Sequence, residues 1–574
     1  MPSSHPRAAM WTAAWLAGCL LLAGCAGIPE TSAPRIIEAV PSTGVTEEPD
    51  VRFQPRPPQP GQTAEQVVKG FLEAEGSPER QHGVARQFLT PSAATRWRDD
   101  AGVVVLAPAP EVVQEAGGAR VSLSGKQVAS LDPVGSYTPA SGDGLPYRSR
   151  LQLVRVEGEW RIVNPPPGVI LTAPTFYQAY RRLNVYFLAR KETRVAPDPR
   201  WFAASHDALP NLLLKALLDG PAGSLADAVT TELANHVSLT SNVVPETDRV
   251  RVFLSGLAGL GATGQAAASA QIIWTLSQLG LPRIEIYNDG QPLVPQAVGG
   301  ESFDWRTYDP DSLSLSSPCY IVRNGAVWTT EGKPTPGPAG GGSYAALSVG
   351  ASPDLARLAV VGRVPRGMAL YRGPIRGPLS ARLDALSLSP PSWDPSTDQV
   401  WTVRNHTDIV EVPSRGPVML VRVPELDRTQ RIGQLRLSRD GSRAALTVGP
   451  AGHQVLYLGT VSASGSVLTG LRSIAPGLSN VVDIAWASAD SLVVLNAGRA
   501  GAATMYSMGV DGSLSQMLTS YGLPKAPTAL AAAPGQSTVV AADGGIWSLR
   551  DPRAGWTGVL PPGSVALEAP AYPG

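Results

Sequence analysis

Cysteine is nearly absent from this 574-residue chain, with only Cys19, Cys25 and Cys319. The first two lie in an N-terminal apolar stretch that reads as a targeting segment. Once that stretch is cut and Cys25 is modified, Cys319 has no partner, which excludes an intramolecular disulfide and a cysteine-built zinc site. Cys319 opens the apolar run Cys-Tyr-Ile-Val, the setting of a small core residue. Net charge is missing too: Lys+Arg and Asp+Glu both number 47. No basic block stands out, so nothing points to nucleic acid. The histidines His5, His82, His206, His236, His406 and His453 contain no close pair at metal-ligand spacing. No serine has the Gly-x-Ser-x-Gly surround of a nucleophile elbow. Beyond the start of the chain there is no second long apolar run.

What is there begins with that start. His5 and Arg7 give a weakly positive head, Ala8 to Leu22 is almost wholly apolar, and Ala23, Gly24 and Cys25 follow. A positive head, an apolar run and small residues at the cut site make a secretory signal, shorter than the ~20 residues a spanning helix needs. Leu22-Ala23-Gly24-Cys25 has the lipobox pattern, in which small residues let the peptidase close on the backbone and a thiol receives the diacylglyceryl group. Leu16-Ala17-Gly18-Cys19 repeats the pattern, but cleavage there would leave Leu20 to Leu22 on the mature protein. Cys25 is therefore the expected N-palmitoyl and S-diacylglycerol cysteine, with residues 1–24 the signal peptide.

Residues 25–60 read as a lipidated cysteine and a tether, stiffened by Pro29, Pro34, Pro41, Pro49, Pro55, Pro57, Pro58 and Pro60. Residues 61–175 read as a small α+β domain. Val67, Val68, Phe71, Leu72 and Ala74 recur at helical spacing, a second helix is expected over Val84 to Trp97, and strands over Val103–Leu106, Val121–Leu123, Leu151–Val156 and Trp160–Val163. The last two flank the hairpin signal Glu157-Gly158-Glu159. Helices followed by a curved sheet resemble the cystatin/nuclear-transport-factor class. Residues 176–305 form a second α+β unit. Its expected strands are Asn184–Leu188, Arg249–Leu254 and Arg283–Tyr287, and its expected helices are Leu212–Leu218 and Ala266–Leu279.

From residue 306 to 574 helical periodicity disappears and a turn followed by an apolar strand recurs. Ser352-Pro353-Asp354 precedes Leu358–Val361. Asp394-Pro395-Ser396 precedes Val400–Val403. Arg439-Asp440-Gly441-Ser442 precedes Ala444–Thr447. Ala489-Asp490-Ser491 precedes Leu492–Leu495, and Pro534–Ser537 precedes Thr538–Val540. The strand starts are 42, 44, 48 and 46 residues apart, close to the ~40–50 of a four-stranded propeller blade. Tyr320–Val322 and Ala326–Thr329 supply part of another unit. The competing architecture is an irregular β-sandwich.

Two motifs invite chemistry. Gly259-Leu260-Gly261-Ala262-Thr263-Gly264 follows a strand, precedes a helix and has Glu285 downstream, as a dinucleotide fingerprint does. No further βαβ units follow, so it reads as a flexible connection. Asp309 and Asp311 flank Pro310 without the rest of a calcium loop, and read as a turn. No catalytic, cofactor-binding or metal residue is assigned.

The parts in this order resemble the LpqB lipoproteins of actinobacteria, over nearly the whole chain. Lysine scarcity, six against 41 arginines, with abundant Ala, Gly and Pro, fits a GC-rich genome. Leu-Ala-Gly-Cys25-Ala-Gly-Ile-Pro is similar to that family's lipobox. Asn184 to Leu293 is similar to a GerMN domain, most clearly in Leu217-Leu218-Asp219-Gly220-Pro221 and Ser269–Leu276. The resemblance implies a non-enzymatic protein on the extracytoplasmic face of the cell membrane. There it would associate with the outer part of the MtrB histidine kinase of the MtrA–MtrB two-component system, affecting envelope homeostasis and division. The competing function is a propeller-based wall-glycan binder or hydrolase. A ring of exposed tryptophans would favour glycan binding, and a clustered acidic or Ser/His site at a propeller mouth would favour an enzyme.

Overall fold

Thr63 starts the first helix in a computed structural model of the chain. The structure is described for residues 55–574 apart from 79–81, 204–207, 234–236, 244–245, 247–248, 282, 294–303, 428, 499–502 and 564. Cys25, the targeting segment, most of the tether, His206 and His236 lie outside the described residues. Thr63 Oγ1 accepts from the Gln66 amide at 3.2 Å, and Gln66 Oε1 accepts from Thr63 N at 2.9 Å. This reciprocal cap satisfies two free helix donors and launches Ala64–Ala74. Val67, Val68, Phe71 and Ala74 form its buried stripe.

The expected helix over Val84–Trp97 is two helices, Gly83–Arg86 and Pro91–Arg96. Pro91 is the cause. A residue before proline is pushed out of the α region, and the proline itself suits a first helical turn. Thr90 caps the new helix, its Oγ1 accepting from Ala93 N at 3.3 Å.

The sheet that follows has strands β1 (Val103–Leu106), β2 (Glu111–Gln114), β3 (Arg120–Leu131), β4 (Tyr137–Pro139), β5 (Leu145–Val156), β6 (Glu159–Ile162) and β7 (Val169–Thr172). Its order is β6-β5-β3-β1-β7, with β2 and β4 also on β3 and a parallel β1/β7 pair. Glu157 and Gly158 both adopt positive φ in the β5–β6 hairpin, the tight turn their sequence signals. Phe71, Phe88, Leu106, Leu123, Leu151 and Ile162 are central in the core.

The second α+β unit opens with a hairpin of β8 (Arg181–Leu188) and β9 (Val195–Phe202). β9 is invisible to pattern reading because Pro197 and Pro199 interrupt it, and proline belongs on strands with a free edge. The helix Leu209–Asp219 ends at Gly220, whose φ is 95°. There the buried Arg200 donates to Gly220 O at 2.6 Å and to Asp198 Oδ2 at 2.7 Å, placing a cation where the helix dipole is negative. A second sheet orders β10 (Ser238–Leu239), β11 (Val250–Ser255), β12 (Ile284–Asn288) and β13 (Gln291–Pro292) side by side. β11 and β12 run parallel, joined through the helix Ala262–Ser277.

The third domain is a six-bladed propeller. Blade 2 is Ala346–Ala351, Arg357–Val364, Gly367–Pro374 and Ser380–Ala385. Blade 3 is Ser392–Asp394, Gln399–Arg404, Asp408–Val412 and Met419–Leu420. Blade 4 is Ile432–Leu437, Arg443–Val448, Val455–Val461 and Leu468–Ser473. Blade 5 is Val481–Ser488, Ser491–Ala497, Ala503–Gly509 and Ser515–Met517, and blade 6 is Pro527–Ala531, Thr538–Ala542, Gly545–Leu549 and Thr557–Leu560. The strands that recur in the sequence are the second of each blade. Tyr320–Arg323 and Ala326–Thr329 pair with each other, and Leu567–Ala571 pairs with the former to complete blade 1.

Ring closure therefore joins the two ends of the domain. The last strand sits innermost in the blade that the first strand began. Packing closes the ring as well, because six hydrophobic clusters each join one neighbouring pair of blades. Trp401 and Ile409 of blade 3 meet Leu435 and Leu446 of blade 4. Val539 and Ile546 of blade 6 meet Cys319 and Ile321 of blade 1. Cys319 is a buried core residue whose thiol burial pushes up to about 12.

Candidate functional site at the propeller mouth

The recurring turns before each second strand all lie at one end of the ring. Their serines and aspartates bond to one another. Ser438 Oγ and Ser488 Oγ each donate at 2.7 Å, to Asp440 Oδ1 and Asp490 Oδ1 respectively, a local bond that shapes the turn. The mouth of the propeller thus carries a set of carboxylates: Asp394, Asp440, Asp490 and Asp511.

The β8–β9 hairpin covers that mouth at blades 3, 4 and 5. Arg182 Nη1 lies 2.9 Å from Asp490 Oδ2, and Arg182 Nε lies 3.2 Å from Asp511 Oδ2. Asn184 Nδ2 also donates to Asp490 Oδ2, at 2.9 Å. At the hairpin tip, Arg190 Nη1 is 3.2 Å from the fully buried Asp394 Oδ2. From the propeller side, Arg443 Nη2 donates to Pro197 O at 2.6 Å. Arg194 Nη1 donates to Arg439 O at 2.7 Å. The segment that leads into the propeller adds Asp311, whose Oδ1 accepts from Ala489 N at 2.6 Å. The N-terminal domain joins through Tyr177, whose hydroxyl donates to Ser513 O at 3.0 Å.

Burial decides the charge states. Burial would raise the Asp490 carboxyl, but Arg182 together with the bonds from Asn184 and Ser488 outweighs it and holds the group at about 2. The opposite balance holds where two acids share one cation or none. Burial and then Asp394 push Glu411 up to about 7. Burial and then Asp309 push Asp311 up to about 7. Arg439, also buried, is pulled down to about 10.

Along the axis runs a channel of about 120 Å³ walled by the innermost strands. Its charged pair is Arg436 Nη2 with Asp483 Oδ1 at 3.2 Å, bridging blades 4 and 5. Asp483 Oδ2 accepts from Leu530 N of blade 6 at 2.9 Å. Both carboxylate oxygens are thus engaged in holding the wall.

The residues singled out in the sequence fall apart in space. Gly261 begins the helix Ala262–Ser277 without a side-chain cap. Glu285 lies 3.4 Å from Arg249 and from Arg283 and 3.6 Å from Arg251, so it is spent on a surface ion-pair network. Asp309 Oδ1 accepts from Asp311 N at 2.9 Å, the turn expected around Pro310. His82 Nδ1 is 3.0 Å from Asp99 Oδ2 in the N-terminal domain. Among the described residues, no group of three His, Cys, Asp or Glu is placed to hold a metal. Trp393, Trp401, Trp486 and Trp556 are buried, and Trp328 and Trp547 are half-buried, so these six form no exposed aromatic ring. The mouth carboxylates were missed as a set. The Ser-x-Asp turn recurs visibly, but that β9 would lie across it has no signature.

A propeller whose carboxylate-rich mouth is filled by its own neighbouring α+β domain defines a multidomain propeller protein. Three family descriptions match in chain order: the N-terminal domain of lipoprotein LpqB over 57–177, the sporulation and spore germination (Germane) domain over 184–294, and the LpqB beta-propeller domain over 321–573. A lipoprotein LpqB from Rhodococcus jostii is 30% identical, covering 88% of each chain. The one from Mycobacterium bovis BCG is 31% identical, covering 96% of this chain and 97% of its own. The chain belongs to the LpqB lipoprotein family. Among solved structures, TolB from Acinetobacter baumannii is similar over 61% of this chain and 91% of its own, at 13% identity and a TM-score of 0.35. A chain of a nidogen/laminin complex is similar over 45% of this chain and 98% of its own, at 9% identity and a TM-score of 0.36. No helix among the described residues is long and apolar enough to cross a membrane.

Proposed function

We propose that this protein is held by lipid on Cys25 at the outer face of the cell membrane. There it acts without catalysis, as a binding scaffold that modulates a two-component sensor kinase of the MtrB kind. The observation that carries the scaffold reading is the fate of the mouth. Asp394, Asp490 and Asp511 are bonded to Arg182, Arg190, Asn184 and Trp201 of the hairpin, and Asp440 is buried and bonded to Ser438 and Ser442 of its own turn, rather than open to a substrate. The buried and half-buried tryptophans likewise weigh against a glycan-binding ring. Family membership supports the lipid anchor and, through the resemblance, the kinase partner.

Anchoring has a physical consequence for such a partner. Two molecules confined to one membrane plane meet at raised effective concentration, so a weak contact suffices. The two acyl chains of the S-diacylglyceryl group, with the N-palmitoyl chain, supply the stable attachment that a single chain does not. The test has two arms. Mass spectrometry of the mature N-terminus should find the lipidated peptide beginning at Cys25; one beginning at Cys19 would overturn the site. In a deletion strain, a Cys25→Ser protein should fold but restore kinase-dependent transcription poorly, and a foreign transmembrane anchor should rescue it. Full complementation by the unanchored protein defeats the tethered-scaffold reading. Unchanged kinase output on deletion defeats the choice of partner.

A further inference from the structure

The hairpin covers one end of the propeller. The opposite end carries the turns between second and third strands and the connections from blade to blade. In blade 2 the end of the second strand and that turn hold Arg363, Pro365 and Arg366, all exposed. Gly367, next in the chain, packs against the following connection: a Cβ built on it would lie 3.1 Å from Leu386 Cα. Leu386 is 78% exposed, the most exposed of the large apolar side chains among the described residues. Its amide donates to Asn405 Oδ1 of blade 3 at 3.0 Å. The neighbouring His406 carbonyl accepts from Ile432 N of blade 4 at 2.7 Å, directly after the exposed Arg431. One continuous sector from blade 2 to blade 4 thus presents Arg363, Arg366, Leu386 and Arg431.

The charge of this sector departs from that of the whole molecule. Residues 355–383 contain six arginines and no acid, in a chain of zero net charge. Arg404 is neutralised by Asp408 at 2.7 Å, whereas Arg363, Arg366 and Arg431 take part in no ion pair among the described residues. Beside them, Asp384 on the outer strand of blade 2, and Glu425 and Asp427 in the connection that ends at Arg431, are exposed acids that make no ion pair among the described residues. Of the exposed acids at the same end, Asp543 lies in blade 6, across the ring from blade 3, and Glu568 lies in blade 1, on the strand paired with Arg323.

We propose that this sector docks on anionic phospholipid head groups of the membrane that carries the anchor, a reading that rests on the anchoring proposed above. Guanidinium groups bond phosphate oxygens in pairs. An apolar side chain flanked by cations matches the bilayer interface, where the cations meet phosphate and the leucine meets the acyl boundary. An acidic protein surface would match the arginines but leave Leu386 against carboxylates. Docked in this way, the propeller turns its hairpin-covered mouth, and with it the two α+β domains, away from the bilayer.

The experiment uses the full mature chain with Cys25→Ser, so that no acyl chain contributes. It is sedimented with vesicles of phosphatidylcholine alone and with vesicles also containing phosphatidylglycerol. Retention is expected only on the anionic vesicles, lost at high salt, and not reproduced by soluble glycerol phosphate as a competitor at matched phosphate. Arg363→Ser with Arg366→Ser should weaken retention about 25-fold, about five-fold for each arginine, and Leu386→Ser several-fold more. Arg376→Ser with Arg415→Ser, on the mouth side, should leave it unchanged. All these positions are exposed or half-exposed, and unchanged thermal unfolding checks that each variant folds. No retention on anionic vesicles, or equal loss in the mouth-side pair, overturns the proposal. Binding to immobilised polyglutamate without binding to vesicles overturns it in favour of an acidic protein. Neither lipidation nor the kinase enters the assay, so its failure leaves the anchoring reading standing.

Discussion

Trp201 donates its indole N–H to Asp511 Oδ2 at 3.2 Å, and in doing so ties three domains together. Trp201 lies on β9 of the second domain, yet its ring is buried in the core of the first, 4.7 Å from Phe176 and 6.1 Å from Tyr137. Asp511 belongs to the turn after the third strand of blade 5 and also receives Arg182. The described residues from 55 onward accordingly belong to one compact unit, and contacts that in other multidomain chains are loose are here buried and charged.

Removing the Arg182 guanidinium should be costly. Arg182→Met leaves Asp490 and Asp511 buried without their cation, a loss of about 3–5 kcal/mol when one partner of a buried pair is deleted. The expected outcome is a lower denaturation midpoint and faster hydrogen exchange in β8 and β9. Replacing Asp490 by Asn should cost less, since the hydrogen-bonding shape is kept. Equal exchange in the wild-type and Arg182→Met hairpins would contradict the junction's importance.

The pH dependence should have two opposing parts. Asp490 is depressed to about 2 in the fold, so its contribution is present above its unfolded pKa of about 3.9 and is lost as pH falls toward 2. Glu411 is raised to about 7. The folded state then binds more protons than the unfolded one between about 4.3 and 7, and stability declines as pH rises through that window. Glu411→Gln should flatten the decline between pH 5 and pH 7 in a series of urea unfolding curves. An unchanged slope would show that Glu411 titrates normally.

Ring closure makes a separate demand. Ending the chain before Leu567 removes the innermost strand of blade 1 and leaves Tyr320–Arg323 with an open edge. Exposed strand edges recruit other chains, so the truncated protein should elute as oligomers or aggregate, while the full chain stays monomeric under the same conditions. A monomeric truncation that still unfolds cooperatively would rule against closure as the stabilising step.

The blade interfaces should respond to volume. Trp401 is fully buried between blades 3 and 4, and Trp401→Ala should cost about 3–5 kcal/mol through the cavity it leaves. Trp547, half-buried on the third strand of blade 6 beside the interface with blade 5, should cost less on the same substitution. Thermal unfolding of the two variants side by side gives the comparison.

Much of this protein is determined locally and is therefore legible in the residues. The second strand of every blade after the first announces itself, because its apolar run is buried on both faces and a Ser/Asp/Gly turn must precede it. The Glu157-Gly158 hairpin, the stop at Gly220 and the first helix with its Thr63 cap are likewise short-range matters of turn chemistry and period. Where short-range rules compete, the reading slips: Pro91 divides a stretch whose apolar spacing alone suits one helix. Tertiary structure alone decided the rest. That Leu567–Ala571 crosses the whole domain to join Tyr320, and that Arg182 and Pro197 of the β8–β9 hairpin meet Asp490 and Arg443, both depend on partners hundreds of residues away. Nothing in a local window encodes them, because their energy comes from excluding water between surfaces that the chain brings together only on folding.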